Sequence, residues 1–468
     1  MMYAMNAARE KKSIFAWPLL PTVIALAWPT MLEQLMQTAV QYIDTAMVGS
    51  LGTQATAAVG STVTVNWLIN STVMALGVGF LAVISQSIGA GNLQRARKAA
   101  AQSVLAVLVS GGLFTALALG LSGRIPGWMQ LEPELRALAS RYFFIFYLPM
   151  LPRAASMIFG TVLRAAGDTR TPMRIGVQVN LINVALNFLL IFEPRTVVLF
   201  GRGLHIWGAG WGVAGAAAAS AAAFLYGGVA ITRALYRHDR VSPKGLGIRP
   251  DRSVLGPSLK IAFPNMLQRF ATSLGYVVGA SMINALGETA TAAHTIANTV
   301  ESAFYIPGYG MQAASATLIG NAIGAGDRER CRSLSRLVFL CEVSLMLLSG
   351  GLLLAFAPAM VRLFSPDPAV ILLGGIVLRM VACSEPFFGL GIVIEGMLQG
   401  AGQTRRPFVF NVIGMWGVRI LGTFICTRWL GLGLISAWAC MIGHNMLLFL
   451  LFALYFRSGR WNPLENEA

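Results

Sequence analysis

Windows of about 20 apolar residues recur along the whole chain, and each is long enough for a helix to cross the hydrocarbon core of a bilayer. Only 12% of the residues are charged, against roughly 25% in soluble domains. Because a backbone inside a bilayer must satisfy its own hydrogen bonds, such segments are expected to be helical. The windows predict an all-α integral membrane protein with twelve transmembrane helices, roughly at 18–48, 59–87, 99–121, 139–160, 174–192, 208–232, 257–285, 298–322, 336–360, 371–394, 408–428 and 431–456.

The chain also repeats itself at an offset of 235 residues. Pro29 falls on Pro264, and Ile88-Gly89-Ala90-Gly91 returns as Ile323-Gly324-Ala325-Gly326. Each copy holds six spans, an even number, so both copies are expected to enter the membrane in the same direction. The repeat predicts two six-helix bundles: a first lobe at 18–232, a cytoplasmic linker at 233–256, a second lobe at 257–456, and cytoplasmic tails at 1–17 and 457–468.

The net charge of +16 is explained by membrane topology and not by a nucleic-acid partner. Most Lys and Arg residues lie in alternate connections, beginning with Arg9, Lys11 and Lys12 before the first span. The positive-inside rule places these connections and both termini in the cytoplasm, where they attract anionic lipid at most. We therefore predict a multi-pass protein of the inner or plasma membrane with both termini cytoplasmic. We expect it to be a monomer.

The first span, within residues 27–52, carries a polar stripe. At about 100° per residue, its five polar side chains fall within an arc of about 100° on one side of a helix. An ionised carboxylate facing lipid would cost several kcal/mol, so the stripe is expected to face the protein interior or a watery cavity. The alternative is that the Gln side chains only bond neighbouring helices. The stripe predicts a substrate cavity lined by Glu33, Gln34, Gln37 and Gln41, with Asp44 as the coupling carboxylate.

Several of these features are similar to those of one transporter family. They are the run from Pro29 to Ala58 with Asp44 midway, the Gly-Ala-Gly turns followed by Arg at 89–97 and 324–332, and the Leu-Arg-x-Ala-Gly-Asp-Thr-Arg-x-Pro element at 163–172 with its echo at 398–407. Over about residues 18–456 the chain resembles the MATE (multidrug and toxic compound extrusion) transporters. The resemblance implies a secondary active antiporter that exports organic, often cationic, compounds against an inward flow of Na⁺ or H⁺.

The resemblance also implies a cation site. In MATE proteins the first-helix Asp is joined by an Asn and an acid four residues apart on helix five, and by a Thr on helix six. Here those positions are Asn183, Asn187 and Ser220, and Asn180 shares the face of helix five. One negative charge is therefore lost. The remaining oxygens could hold Na⁺, but the single carboxylate favours H⁺.

The second lobe lacks an acid equivalent to Asp44, because the offset places Gly279 there. Its stripe of Gln268, Arg269, Thr272 and Tyr276 is predicted to line the substrate cavity, and Thr272 stands where another MATE branch has a Glu. Four further acids lie in or near spans: Glu301, Glu342, Glu385 and Glu395. We predict that Glu385 and Glu395 face the cavity, since Pro386 disfavours a regular helix at Glu385. The alternatives are pairing with Arg379 or Arg269, or a place near a helix end.

Other functional classes find little support. The five Cys and four His residues have no metal-ligand spacing, and neither Gly-rich element has a Walker spacing. We therefore predict no enzyme activity, no cofactor and no resident metal. The alternative function is a lipid-linked oligosaccharide flippase of the same superfamily, which should have more helices or a strongly cationic cavity. Four Arg residues within spans keep it open: Arg153, Arg269, Arg379 and Arg419.

Overall fold

The computed structural model describes residues 17–466 except 61, 130, 200 and 201. Arg9, Lys11 and Lys12 therefore lie outside the described residues. After a 3₁₀ turn at Trp17–Leu19, the helices of the first repeat are α1 (Leu20–Gly49), α2 (Thr53–Gly60), α3 (Val63–Gly89), α4 (Leu93–Leu121), α5 (Ile125–Trp128), α6 (Pro133–Tyr147), α7 (Met150–Ala165), α8 (Arg170–Leu190) and α9 (Gly212–Arg237).

The second repeat has the same order of long helices. They are α10 (Arg252–Asn284), α11 (Glu288–Gly324), α12 (Arg328–Arg362), α13 (Pro368–Ala382), α14 (Glu385–Gly400), α15 (Arg405–Val412), α16 (Leu421–Phe424), α17 (Leu434–Arg457) and α18 (Pro463–Asn466). π-helical segments at Ile413–Ile420 and Ile425–Trp429 flank α16, so residues 405–429 form one continuous rod.

Twelve spans can be counted in the described part of the chain. Seven rods are long and apolar enough to cross a bilayer, and two bent pairs, α6–α7 and α13–α14, pass the same test when each is taken as one span. The three remaining long helices, α1, α10 and α11, have 30, 33 and 37 residues, more than the roughly 20 that a bilayer requires. The prediction of a twelve-helix membrane protein is confirmed.

The offset of 235 holds for helix ends as well as for sequence. The bent pair α6–α7 corresponds, end for end, to α13–α14, and the bends are 50° and 54°. The register changes only before the last span, where α9 and α17 start 222 residues apart. The first repeat has a longer connection there, and it forms a β-hairpin that the all-α prediction omitted. β1 (Arg195–Leu199) pairs antiparallel with β2 (Arg202–Ile206), as suits the β-branched run Thr196-Val197-Val198.

The repeated Gly-Ala-Gly elements have a structural role. Gly91 and Gly326 adopt φ of 70° and 67°, a conformation that favours glycine, and each lies two residues after the end of a helix. Gly89 and Gly324 lie where helices cross closely, since a Cβ at Gly89 would collide with the carbonyl of Asn321, and one at Gly324 with that of Gln86. These elements set turns and crossings and need no chemical role.

The described chain divides into two compact units. The C unit holds the described residues up to Met31, residues 81–92 and residues 271–466; the N unit holds residues 32–80 and 93–270. Two clusters of buried hydrophobic residues form the core of the C unit, one around Val338 and Leu398 and one around Leu353 and Trp438.

The segment predicted as a linker is tied to α4 within the N unit. Its non-helical part, residues 238–251, accepts hydrogen bonds from Arg97 at the carbonyls of Ser242 (2.9 Å) and Lys244 (3.1 Å). Lys98 pairs with Asp251 at 3.7 Å, and hydrogen bonds from Ser253 hold the pKa of Asp251 below its usual range.

Candidate functional site

In the N unit, Asp44 lies beside two amides of α8. Asn187, which is 1% exposed, donates a short hydrogen bond from Nδ2 to Asp44 Oδ1. Asn183 lies one turn earlier on the same helix and is also buried. Since i and i+4 side chains share a helix face, α8 presents both amides to one point of α1.

Ser220 of α9 completes the cluster. The Asn183 side chain is satisfied when its Nδ2 faces the carboxylate, 2.8 Å from Asp44 Oδ1 and 3.1 Å from Oδ2. Its Oδ1 then accepts from Ser220 Oγ at 3.0 Å. Asp44, Asn183, Asn187 and Ser220 are therefore brought together. Asn180 is half-buried three residues before Asn183, and it is not among the hydrogen-bond partners of Asp44 in the described chain.

The electrostatics of the cluster are unusual for a membrane helix. No Lys or Arg of the described residues makes an ion pair with Asp44, so its charge is held by amide N–H groups alone. Asn187 Oδ1 is buried with no hydrogen-bond partner in the part of the chain that the structure describes. An unsatisfied acceptor next to a carboxylate suits a site that receives a proton or a cation.

Glu33, at the other end of the polar stripe, forms an ion pair. Its Oε2 lies 3.1 Å from Nη1 of Arg164, at the end of α7, and Arg164 Nη2 donates to Thr161 Oγ1 at 3.1 Å. Among the other stripe residues, Gln34 is half-buried, whereas Gln37 and Gln41 are exposed. No local sequence pattern indicates this pair, because its members are 131 residues apart.

The second-repeat stripe is divided between the two units. Gln268 is buried in the N unit. Thr272 and Tyr276 belong to the C unit; Thr272 is half-buried, and the exposed Tyr276 ring lies 4.8 Å from the Arg419 guanidinium carbon. Arg269 donates to Asn265 Oδ1 at 3.1 Å.

The two cavity acids predicted in the tenth span have different surroundings within the C unit. Glu395 accepts from Gln399 Nε2 at 3.1 Å and lies 3.5 Å from Asn411 Nδ2. Glu385 is the first residue of α14, directly after the bend, and is 1% exposed. Arg379, one of its suggested partners, is exposed.

The environment of Arg153 is not one that the sequence predicts. Arg153 is 8% exposed, and its guanidinium carbon lies 4.6 Å from the Phe146 ring centre and 4.5 Å from that of Phe224. Cation–π contacts of this kind hold a buried guanidinium without a carboxylate. Aromatic residues near an Arg in an apolar run are the only sequence signal.

Comparison with known proteins decides the family. The model of the MatE family matches residues 29–189 and 264–425, so the two matches begin 235 residues apart. The chain belongs to the MatE family. Its members are transporters and not enzymes, and the protein is a multi-pass membrane protein. No group of three or more His, Cys, Asp or Glu side chains able to hold a metal is found among the described residues.

Relatives and solved structures agree with this assignment. The probable multidrug resistance protein NorM of Thermotoga maritima is 28% identical over 440 residues, which are 94% of this chain and 92% of the relative. The probable multidrug resistance protein YpnP of Bacillus subtilis is 26% identical over 459 residues, covering 95% and 96% of the two chains. The crystal structure of MATE in complex with MaL6 matches with a TM-score of 0.86 and 22% identity, covering 96% and 97%.

Proposed function

We propose that the protein exports organic, often cationic, small molecules in exchange for protons, with Asp44 as the coupling carboxylate. Family membership and the multidrug resistance proteins among its relatives support the export of small molecules. The proposal includes a monomer of the cell or inner membrane, and the distribution of Lys and Arg supports its two cytoplasmic termini.

The observation that carries the proposal is the Asp44 cluster. A carboxylate within a membrane helix is expensive unless it serves function, and here only neutral groups face it. Binding of a cation or proton therefore changes the local free energy by several kcal/mol. That is enough to drive a two-state transporter, since roughly 5.5 kcal/mol moves a population from 1:99 to 99:1.

The single carboxylate and the two amides of the site support H⁺ over Na⁺ as the coupling ion. With the Asn183 amide turned so that its hydrogen bonds are satisfied, Asn183 and Asn187 both donate to Asp44, which stabilises the deprotonated carboxylate. Protonation requires one amide to turn so that its oxygen accepts from the new O–H group. A Na⁺ ion requires several oxygens together, so that both amides must turn. Asn180 lies on the same face and is included in the proposed site as a further polar group.

We propose that the substrate meets the polar residues of the two stripes. Support comes from the exposure of Gln37 and Gln41, which leaves the polar groups of the first stripe available to a substrate. The full proposed set also includes Glu33, Gln34, Gln268, Thr272, Tyr276, Glu385 and Glu395. The aromatic rings that surround Arg153 weigh against a strongly cationic cavity, and hence against an oligosaccharide flippase.

Asp44→Asn tests the proposal, because Asn copies the shape of the protonated acid but cannot release a proton. Purified variant and wild-type proteins in proteoliposomes would be compared for dye transport under an imposed pH or Na⁺ gradient. We expect transport to fall at least about 100-fold, because the loss of roughly 5.5 kcal/mol returns the population of the two states from 99:1 to 1:99. Asp239→Asn, at an exposed position after α9, is the matched control. Gradient-driven transport by Asp44→Asn at the wild-type rate contradicts the assignment.

A further inference from the structure

Two acids of the C unit are buried without partners. Glu342 of α12 is 0% exposed and Glu385 of α14 is 1% exposed. Neither carboxyl group has a hydrogen-bond partner among the residues that the structure describes. Such a group normally costs far more than any packing gain, because a buried charge without a partner loses its hydration.

Glu342 occupies a slot that two glycines leave open. A Cβ atom at Gly308 of α11 would lie 2.8 Å from Glu342 Oε1, and one at Gly389 of α14 would lie 2.7 Å from it. A Cβ atom at either glycine would also meet Met346, and one at Gly308 would meet Ile392. The carboxyl group is therefore enclosed by glycine backbone and apolar side chains.

The first repeat fills the same positions with apolar residues. At the offset of 235, Glu342 corresponds to Val107, Gly308 to Val73 and Gly389 to Ala154, and all three of these counterparts are buried. The fold therefore packs this region without an acid. In the second repeat the carboxyl group and the space for it occur together, which packing alone does not explain.

The ionisable groups that the structure describes near the Glu342 slot provide no positive charge that pairs with it. The helices packed against α12 are α11, α13 and α14. Glu385 of α14 and Cys341 on α12 itself interact electrostatically with Glu342, whereas Glu301 and Tyr305 of α11 interact with Glu385. Arg379 of α13 is exposed, and the positive charge of Arg419 interacts electrostatically with Glu301. No Lys or Arg of the described residues forms an ion pair with Glu342 or Glu385, so neither buried carboxyl group has a counter-charge.

We propose that Glu342 binds and releases a proton, giving the protein a proton site in the C unit besides Asp44. A metal cation is a poor alternative, since hard cations require several oxygen ligands and the slot offers glycine, Met346 and Ile392. The 54° bend between α13 and α14 lies directly before Glu385, and Gly389 follows one turn later. A change in this bend moves one wall of the slot and offers a way for the proton to leave. The role of this proton in export rests on the proposed antiport, but its binding does not.

Infrared difference spectroscopy of the purified protein in lipid tests this directly. As the pH is raised from about 5 to about 10, a buried acid that titrates loses its protonated-carboxyl C=O band. We expect such a band in the wild type, its loss in Glu342→Gln, and its persistence in the control Glu329→Gln, an exposed acid on α12. Should Glu342→Gln misfold, the set Gly308→Val, Glu342→Val and Gly389→Ala copies the packing of the first repeat.

The same measurement on Asp44→Asn separates the two proposals. The Glu342 band is expected to persist there, whether or not Asp44 couples transport. A spectrum with no Glu342-dependent band, or with one that does not change across this pH range, overturns the proton site and leaves the role of Asp44 untouched.

Discussion

The two repeats share several helix ends but have different polar groups at equivalent positions. In the N unit, Asp44 is held by two amides. In the second repeat the equivalents of Asp44, Asn183 and Asn187 are Gly279, Val418 and Gly422. A Cβ at Gly279 would contact Ile420 at 3.4 Å, so the region equivalent to the Asp44 site is apolar.

The Glu342 slot shows the opposite difference. Val73, Val107 and Ala154 pack where the second repeat has Gly308, Glu342 and Gly389. At both sites several neighbouring residues differ together between the repeats. A buried polar group requires either hydrogen-bond partners or enough space, and neighbouring residues supply both. Turn glycines and helix ends persist in both copies. Comparison of the two repeats thus distinguishes the residues that the fold requires from the polar residues that are specific to one copy.

Equivalence of the two repeats requires that both cross the membrane in the same direction. Thr53 and Glu288 are equivalent positions, both exposed, at the starts of α2 and α11. In a Cys-free background, Thr53→Cys and Glu288→Cys are expected to react from outside the cell with a membrane-impermeant maleimide, and Lys244→Cys is not. Permeabilised cells are the control, in which all three react. Labelling of position 53 without position 288 contradicts parallel repeats.

Moving the acid between repeats tests whether Asp44 depends on its neighbours. Asp44→Asn combined with Gly279→Asp is expected to transport no better than Asp44→Asn alone, a loss of at least about 100-fold. The carboxylate at position 279 faces Ile420 and has no amide from Val418 or Gly422 to hold it. Dye efflux under an imposed pH gradient is the measurement. Recovery of efflux in the double variant shows that either repeat can carry the coupling group.

The sequence predicts the sites that depend on local patterns, and misses those that depend on tertiary contacts. The period of a helix and the family resemblance are enough to bring Asp44, Asn183 and Asn187 to one place. The partners of Glu33 and Arg153, and the glycines around Glu342, lie on other helices and give no periodic signal. The β-hairpin is missed for a different reason, since its five-residue strands are far shorter than the windows that identify spans.

A second carboxylate in the Asp44 site is expected to change the preferred ion. In Asn187→Asp, two carboxylates replace an amide–carboxylate contact, and both cannot be charged unless a cation lies between them. We expect Na⁺ to stimulate transport about 10-fold. This factor corresponds to the lower end of the about 1.5–3 kcal/mol that an interaction with a charged group contributes. Transport would be measured against Na⁺ concentration at fixed pH. Gln178→Glu adds the same charge at an exposed position of α8 and is the control. An unchanged Na⁺ response contradicts the view that the lost acid explains proton coupling.

The smallest expected effect concerns the ion pair of Glu33 and Arg164, whose equivalents in the second repeat are Gln268 and Gln399. The side chains of the pair are 25% and 17% exposed, so its contribution lies between that of surface and buried ion pairs. Glu33→Gln removes the carboxylate beside Arg164. We expect it to lower the free energy of unfolding by about 1–2 kcal/mol and the Tm by about 1–3 °C. Glu33→Gln combined with Arg164→Gln copies the uncharged pair of the second repeat and is expected to recover part of that loss.

Thermal unfolding of the purified proteins is the measurement, and Glu134→Gln, at an exposed position of α6, is the control. A double variant less stable than either single variant shows that the two residues stabilise the N unit through separate contacts, and that the difference between the repeats here is not one of charge.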